Sequence, residues 1–487
     1  MSNRPETNKQ SCPVYKKCGG CQLQNLSYPE QLEFKQRKVE KLLKRFCTVE
    51  KIIGMKTPYH YRNKVQAAFY TDKKGKIISG VYQSGSHHVV GIDSCQTEDV
   101  IAHKIIVAVR KLLPSFRMTT YNEDTGKGFL RHILVKRGFA TNQIMLVLVT
   151  GTPVFPSKNN FVKAILKQFP EITTIVQNIN PYRTNLVLGD NQKVLYGKGY
   201  IEDILCGCKF RISPKSFYQI NPVQTEVLYG KAIEFANLKG NETVLDTYCG
   251  IGTIGIIAAK NGAGNVIGAE LNGDAVRDAI VNARANNLKN IRFYKADAGE
   301  FMREAADEDE KPDIVFMDPP RAGSDRKFLD SLIKMSPKKV VYVSCNPETL
   351  ARDLAYLTQN SPYKAQKIQP VDMFPHTAHI ETVVLLSQLK QKPDDYINVT
   401  IELDDMDVTS AETKVTYDEI KKYVAEHNDG MKVSNLYISQ VKRKCGIEVG
   451  KNYNLPKNED SRQPQCPEDK ERAIVEALEH FKMIQQK

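Results

Sequence analysis

The sequence contains no run of roughly 18 consecutive apolar residues, the length a membrane-crossing helix requires, so no membrane span is expected. Met1 to Gln22 is polar and lacks the apolar centre of a secretion signal. Internal repeats and long low-complexity tracts are absent too, which leaves an ordinary globular chain. The eleven cysteines do not follow the paired CxxC spacing common at zinc sites, and without an export signal they do not read as a disulfide framework. A reducing, cytoplasmic setting is expected, where cysteines serve as metal ligands, reactive thiols or small buried hydrophobes. Nothing in the sequence points to a protein partner.

What is present is a chain of 487 residues, enough for roughly two to four domains. Its formal charge of +13 points to a polyanionic partner, nucleic acid before membrane surface. Residues 1–60 carry three close cysteines and then a helical pattern from Tyr28 to Phe46, with Leu32, Lys35, Gln36, Val39, Leu42 and Leu43 on one stripe. Residues 61–205 are strand-rich, with Lys64–Tyr70, Ile133–Lys136 and Ile144–Val149 separated by Gly, Asn and Asp. From 206 to 392 short apolar runs alternate with helices. Val244-Leu245, Val266–Ala269, Ile291–Phe293, Asp313–Met317 and Val340–Val343 read as buried parallel strands, and Glu381–Leu386 is expected to close the sheet. Lys390–Asp395 reads as a linker. Residues 393–487 then form a helical extension, with helices expected at Tyr417–His427, Lys432–Cys445 and Pro467–Lys482, the last with its proline in the first turn.

Asp246-Thr-Tyr-Cys-Gly-Ile-Gly-Thr-Ile-Gly255 follows a strand and opens a helix. Gly250, Gly252 and Gly255 make a GxGxxG loop, and Glu270 follows the next strand, where a ribose is bound in such folds. A nicotinamide cofactor meets that description as well. Asp246 before the loop and Asp318-Pro-Pro-Arg321 after the fourth strand favour the cationic sulfonium of S-adenosylmethionine.

Five motifs occur in order: Phe217-Tyr-Gln-Ile-Asn221, Asp246–Gly252, Asp318-Pro-Pro-Arg321, Ser344-Cys-Asn-Pro347 and His379-Ile-Glu-Thr382. From about Cys12 to Gln388 the chain resembles the RNA uracil-C5 methyltransferase family, in particular its iron–sulfur branch acting on 23S rRNA. The resemblance implies a Rossmann-like α/β methyltransferase domain preceded by a strand-rich α+β domain with an iron–sulfur site. It also implies S-adenosylmethionine contacts at Gln219, Tyr248, Glu270 and Asp318, a nucleophile at Cys345 and a general base at Glu381. The chemistry needs these types. Carbon 5 of uracil attacks a methyl sulfonium only after a thiolate has added to carbon 6, and a carboxylate must then take the carbon 5 proton. Cys345 lies between a strand and a helix start, which is expected to lower its pKa. Arg321 is expected to contact the nucleotide. Cys47, Cys206, Cys208 and Cys249 are expected to be structural.

Cys12, Cys18 and Cys21 put three thiols close together, and the resemblance supplies Cys95 as the fourth ligand. Four thiolates suit a [4Fe–4S] cluster or tetrahedral zinc. Spacing does not separate them; the resemblance favours iron–sulfur, in a structural or RNA-organising role. Basic and aromatic residues interleave at Tyr59–Lys64, Phe129–His132 and Lys136-Arg137, as surfaces that hold RNA do, although a solvated strand face gives the same pattern. Two departures from the family stand out. Only eleven residues precede Cys12, so the small β-barrel that many relatives carry there is not expected, and the tail beyond Pro393 is additional. In the tail Val433, Leu436, Tyr437 and Val441 share a helical face ahead of Lys442-Arg-Lys444. The competing readings are a tRNA uracil-C5 methyltransferase, a methyltransferase acting on an exocyclic amine of a base, and an RNA-binding assembly factor without chemistry.

Overall fold

The computed structural model describes residues 12–83, 88–184, 186–307, 311–388, 417–445, 447, 466–481 and 483–484. The chain divides into two compact units, Met1–Pro393 and Asp394–Lys487. The expected linker at Lys390–Asp395 lies outside the described residues. No helix among the described residues is long and apolar enough to cross a membrane.

In the first unit the helix Tyr28–Leu43 opens on a reciprocal cap: the Ser27 amide donates to Glu30 Oε2 at 2.7 Å, and Pro29 occupies its first turn. It stops at Leu43, short of the expected Phe46. Val39 and Leu43 face the core, and so do Gln31 and Lys35.

The strands of the middle region are β1 (Lys64–Thr71), β2 (Ile77–Tyr82), β3 (Val89–Gly91), β4 (Leu130–Arg137), β5 (Ile144–Thr150), β6 (Ile172–Ile179) and β7 (Asn191–Tyr196). They form one sheet in the order β3-β2-β1-β4-β5-β6-β7, antiparallel except where the helix Lys158–Gln168 carries the chain from β5 to a parallel β6. β4 and β5 are buried on both faces; β5 is accordingly an apolar run from Ile144 to Val149, whereas β4 also buries Arg131, His132 and Lys136. Ile133, Val135 and Leu148 pack under the helices Val100–Leu112 and Lys158–Gln168. Leu134, Met145, Val147 and Val149 join a core that also holds Ile201, Phe210, Tyr218 and Leu228. The hairpin β8 (Ile201–Leu205) and β9 (Cys208–Ile212) belongs to that core, so the boundary expected between 205 and 206 falls in the turn of a hairpin.

The second large sheet comprises β10 (Thr243–Thr247), β11 (Asn265–Glu270), β12 (Ile291–Lys295), β13 (Ile314–Met317), β14 (Lys339–Ser344), β15 (Tyr363–Val371) and β16 (Glu381–Gln388). Their order is β12-β11-β10-β13-β14-β16-β15. The strands pair in parallel from β12 to β14, while β16 runs antiparallel to both of its neighbours. Glu381–Leu386 was expected to end the sheet; instead β16 lies between β14 and β15, and β15 is the edge strand. Short parallel bridges tie Val49 to Ile368 and Ile53 to Val371, so the N-terminal segment covers that edge.

The second unit has the helices Tyr417–His427, Asn435–Lys444 and Glu468–His480, around Ile420, Val424, Ile438, Val441, Ile474 and Leu478. Its middle helix begins after the Ser434 cap, not at Lys432, and Pro467 is itself the cap of the last helix. The basic triplet is largely engaged: Lys442 is buried with its ammonium 4.9 Å from the Tyr417 ring, and Lys444 meets Glu471 at 2.8 Å.

Candidate active site

The carboxyl ends of β10, β11, β13 and β14 lie along one edge of the sheet, where open parallel sheets arrange their ligand sites. After β10 the chain turns through Tyr248, Gly250 and Gly252, all at positive φ, into the helix Thr253–Lys260. At Gly252 a side chain would meet the Phe293 ring at 2.8 Å, so this turn tolerates only glycine. Asp246 Oδ2 accepts the Gly255 amide at 2.7 Å and pins the helix start to β10. Glu270 accepts the Gly250 amide at 3.0 Å and the Asn272 amide at 2.7 Å, fixing its carboxylate at the mouth of the loop.

These acids are crowded. Burial pushes Asp246 up to about 8, helped by the charges of Asp318 and Glu270. Burial likewise pushes Asp318 up to about 7. Glu381 is buried, one of its carboxyl oxygens has no hydrogen-bond partner, and burial with the Asp318 charge holds it well above the usual carboxylate range.

Cys345 follows β14, and Asn346 caps the helix Pro347–Asn360 through the Glu348 amide. The helix start was expected to lower the thiol's pKa. The opposite holds in the free protein: burial, then the charges of Glu381 and Asp318, push Cys345 up to about 11, and Arg321 opposes them only in part. Arg321 is exposed, and its carbonyl is anchored by Asn346 Nδ2 at 3.1 Å and Thr349 Oγ1 at 3.3 Å. Cys345, Glu381, Asp318 and Arg321 therefore share one electrostatic neighbourhood.

The Gln219 backbone carbonyl is held by Asn63 Nδ2 at 3.1 Å, and its side chain reaches the Tyr229 hydroxyl. Tyr229 was not anticipated. Its hydroxyl is buried between Thr253 and Gln219, within reach of the Asp318 and Asp246 charges. In sequence it reads as one more core position of the helix Pro222–Ala236. Tyr248 packs on Phe328 with ring centroids 5.5 Å apart.

Cys12, Cys18 and Cys95 gather around Cys21. Burial raises the Cys21 thiol to about 12, with contributions from the other three and an opposing one from Arg62. Among the described residues, no group of three or more His, Cys, Asp or Glu side chains stands in metal-holding geometry. Cys208 and Cys249 are buried, and Cys47 donates to the Gln366 carbonyl at 3.2 Å.

Most of the expected RNA-facing residues face inward. Arg131 is buried and ion-paired with Glu123 at 2.8 Å, and His132 is buried beside it. Lys136 is buried and donates to the Ser213 and Ser216 carbonyls at 2.9 and 2.8 Å. Arg137 is bound to Asp99 at 2.6 Å, and Tyr61 and Asn63 are buried. Of those residues, Tyr59 and His60 remain exposed.

Residues 177–389 match the family described as tRNA (Uracil-5-)-methyltransferase. An uncharacterized RNA methyltransferase of Bacillus cereus is 43% identical over 392 residues, 80% of this chain and 85% of that protein. One of Clostridium tetani is 44% identical over 385 residues, 78% of this chain and 83% of its own length. The crystal structure of the Pyrococcus abyssi tRNA (uracil-54, C5)-methyltransferase in complex with S-adenosyl-L-homocysteine aligns with a TM-score of 0.64 at 31% identity, covering 75% of this chain and 85% of that one. Fold and relatives together define an RNA methyltransferase. The chain belongs to the RNA (uracil-5-)-methyltransferase family.

Proposed function

We propose that the protein methylates carbon 5 of a uridine in RNA, using S-adenosylmethionine, with Cys345 as nucleophile and Glu381 as base. The observation that carries this reading is the shared neighbourhood of a thiol, two raised carboxyls and Arg321 at the end of β14 and β16.

S-adenosylmethionine supplies an electrophilic methyl group on a cationic sulfur. The site suits a cation: burial opposes ionisation of Asp246, Asp318 and Glu381, and a neighbouring positive charge favours their carboxylate forms. Gln219, Tyr248, Glu270 and Asp318 are the residues that would hold it. The Cys345 thiolate, its proton already lost to solvent, adds to carbon 6 of uracil; the S–C6 bond forms and the C5=C6 electrons move onto carbon 5 and O4 as an enolate. That carbon then bonds to the methyl group while the methyl–sulfonium bond breaks. Glu381 takes the carbon 5 proton, and those electrons restore C5=C6 as the S–C6 bond breaks and the thiolate leaves. Arg321 lies where it can neutralise the enolate or a neighbouring phosphate.

Cys12, Cys18, Cys21 and Cys95 are the residues that would hold a [4Fe–4S] cluster; the assignment rests on the family resemblance, since these thiols influence one another at Cys21 but do not stand in metal-holding geometry among the described residues. The cluster favours 23S rRNA as substrate in a cytoplasmic enzyme. The alignment with an enzyme named for uracil-54 of tRNA supports transfer RNA as a second reading. Tritium release from each RNA, labelled at uracil carbon 5, decides between them: release from 23S rRNA alone is expected, and release from tRNA alone overturns the choice.

A further inference from the structure

The turn that joins β15 to β16 sits next to Glu381. Val371 is the ladder partner of Glu381, and Asp372 follows it directly. Within the turn, Thr377 bonds back to the Phe374 carbonyl and Met373 to that of Val371. The turn's other anchors come largely from the N-terminal part of the chain. Lys35 Nζ donates to Asp372 Oδ1 at 2.5 Å and to the Phe374 carbonyl at 3.0 Å. The Tyr28 hydroxyl donates to Asp372 Oδ2 at 2.8 Å. Gln31 brackets His376: its Oε1 accepts the His376 amide at 2.8 Å, and its Nε2 lies 3.2 Å from His376 Nδ1. His376 Nε2 faces the Pro58 carbonyl at 2.9 Å, so Nε2 carries the proton and Nδ1 accepts from Gln31. His376 itself sits at φ 69°, a conformation it adopts only because its surroundings hold it there.

Two facts make this more than packing. The Lys35 and Asp372 side chains are both wholly buried, and a buried ion pair is a poor source of stability because an apolar pair of the same volume serves as well. Here the pair ties down two points of the turn at once, the Asp372 carboxylate and the Phe374 carbonyl. Meanwhile one Glu381 carboxyl oxygen has no partner of its own, so the position of that carboxyl is set largely by the backbone on either side of it.

We infer that Lys35 is a positioning residue for the base: through Asp372 and Phe374 it locks the β15–β16 turn and holds Glu381 where it takes the carbon 5 proton. The inference builds on Glu381 as base. Thiol addition and methyl transfer precede proton removal, so a displaced Glu381 stalls the reaction at a defined point, a methylated RNA joined to Cys345.

The test uses the full chain and an RNA transcript that the unaltered protein methylates, with radioactive methyl donor. Lys35→Met is expected to accumulate a labelled protein–RNA adduct that survives a denaturing gel. Turnover falls roughly tenfold to hundredfold, as a misplacement of a reacting group by up to about 1 Å does, while the KM for S-adenosylmethionine stays unchanged. Tyr28→Phe, which deletes one oxygen and keeps the ring, shows a smaller effect in the same direction, and Lys35→Arg recovers part of the turnover. Normal turnover without adduct overturns the inference, as does lost turnover without adduct in a folded variant. Tyr28→Phe decides alone if Lys35→Met does not fold. Glu381→Gln is the control: if it traps no adduct while Cys345 is required, the assignment of the base has failed first, and the inference falls with it.

Discussion

Ser344 of β14 pairs with Thr382 of β16, and this antiparallel register carries Cys345 and Glu381 to adjacent positions at the end of the ladder. On the proposed mechanism Cys345 and Glu381 are the nucleophile and the base, and they meet because β16 runs against its neighbours. A one-residue slip would turn Glu381 to the other face of the sheet.

The first prediction concerns the thiol. With Cys345 pushed up to about 11, only a small fraction is thiolate at pH 8. Iodoacetamide labelling of the Cys345 peptide, followed by mass spectrometry in the absence of ligands, should keep rising about tenfold per pH unit beyond pH 9. A plateau near pH 8 would mean that the helix start outweighs burial.

The second follows from the carboxyls. Asp318 at about 7 and Asp246 at about 8 keep protons at pH 6 that a bound sulfonium expels. Titration calorimetry in buffers of different ionisation enthalpy should show proton release on binding. Affinity for S-adenosylmethionine should rise from pH 6 to 8 and level off above, while uncharged-sulfur S-adenosylhomocysteine responds less. The same shifts act on stability. Both folded pKa values lie above the usual 3.8, so this stabilising contribution is complete below that value and is lost as pH rises through 7 to 8. The ligand-free protein should therefore melt lower at pH 8.5 than at pH 6, with the ligand narrowing the gap.

Gly252→Ala is expected to cost about 1–3 kcal/mol from the left-handed backbone alone, before the clash with Phe293. Chemical denaturation and S-adenosylmethionine titration should show lost stability and weakened binding together. Loss of neither contradicts the loop's role.

For the buried pair, Lys35→Met leaves Asp372 uncompensated and should lower stability by about 3–5 kcal/mol, whereas Lys35→Met with Asp372→Leu should recover most of it. A double variant that regains stability but not turnover separates geometry from folding energy.

Much of this was legible in the sequence. The parallel strands announce themselves as apolar runs, and the glycine loop, Asp318, Cys345 and Glu381 stand in recognisable motifs. β15 escaped because its first half alternates exposed polar residues, as an edge strand does, and so carries no apolar signal. The RNA-facing reading of Arg131 and Lys136 went astray for a related reason. A basic residue within a strand shows no sign of whether a partner waits inside, and Glu123 for one and two serine carbonyls for the other were the partners. Lys35 lay on the expected apolar stripe, yet Asp372, distant in sequence, gives that placement its meaning.

The most direct measurement is tritium release to water from RNA labelled at uracil carbon 5. The account predicts release that requires S-adenosylmethionine and vanishes in Cys345→Ala. Methyl incorporation into RNA without tritium release would contradict it and place the methyl group elsewhere on the base.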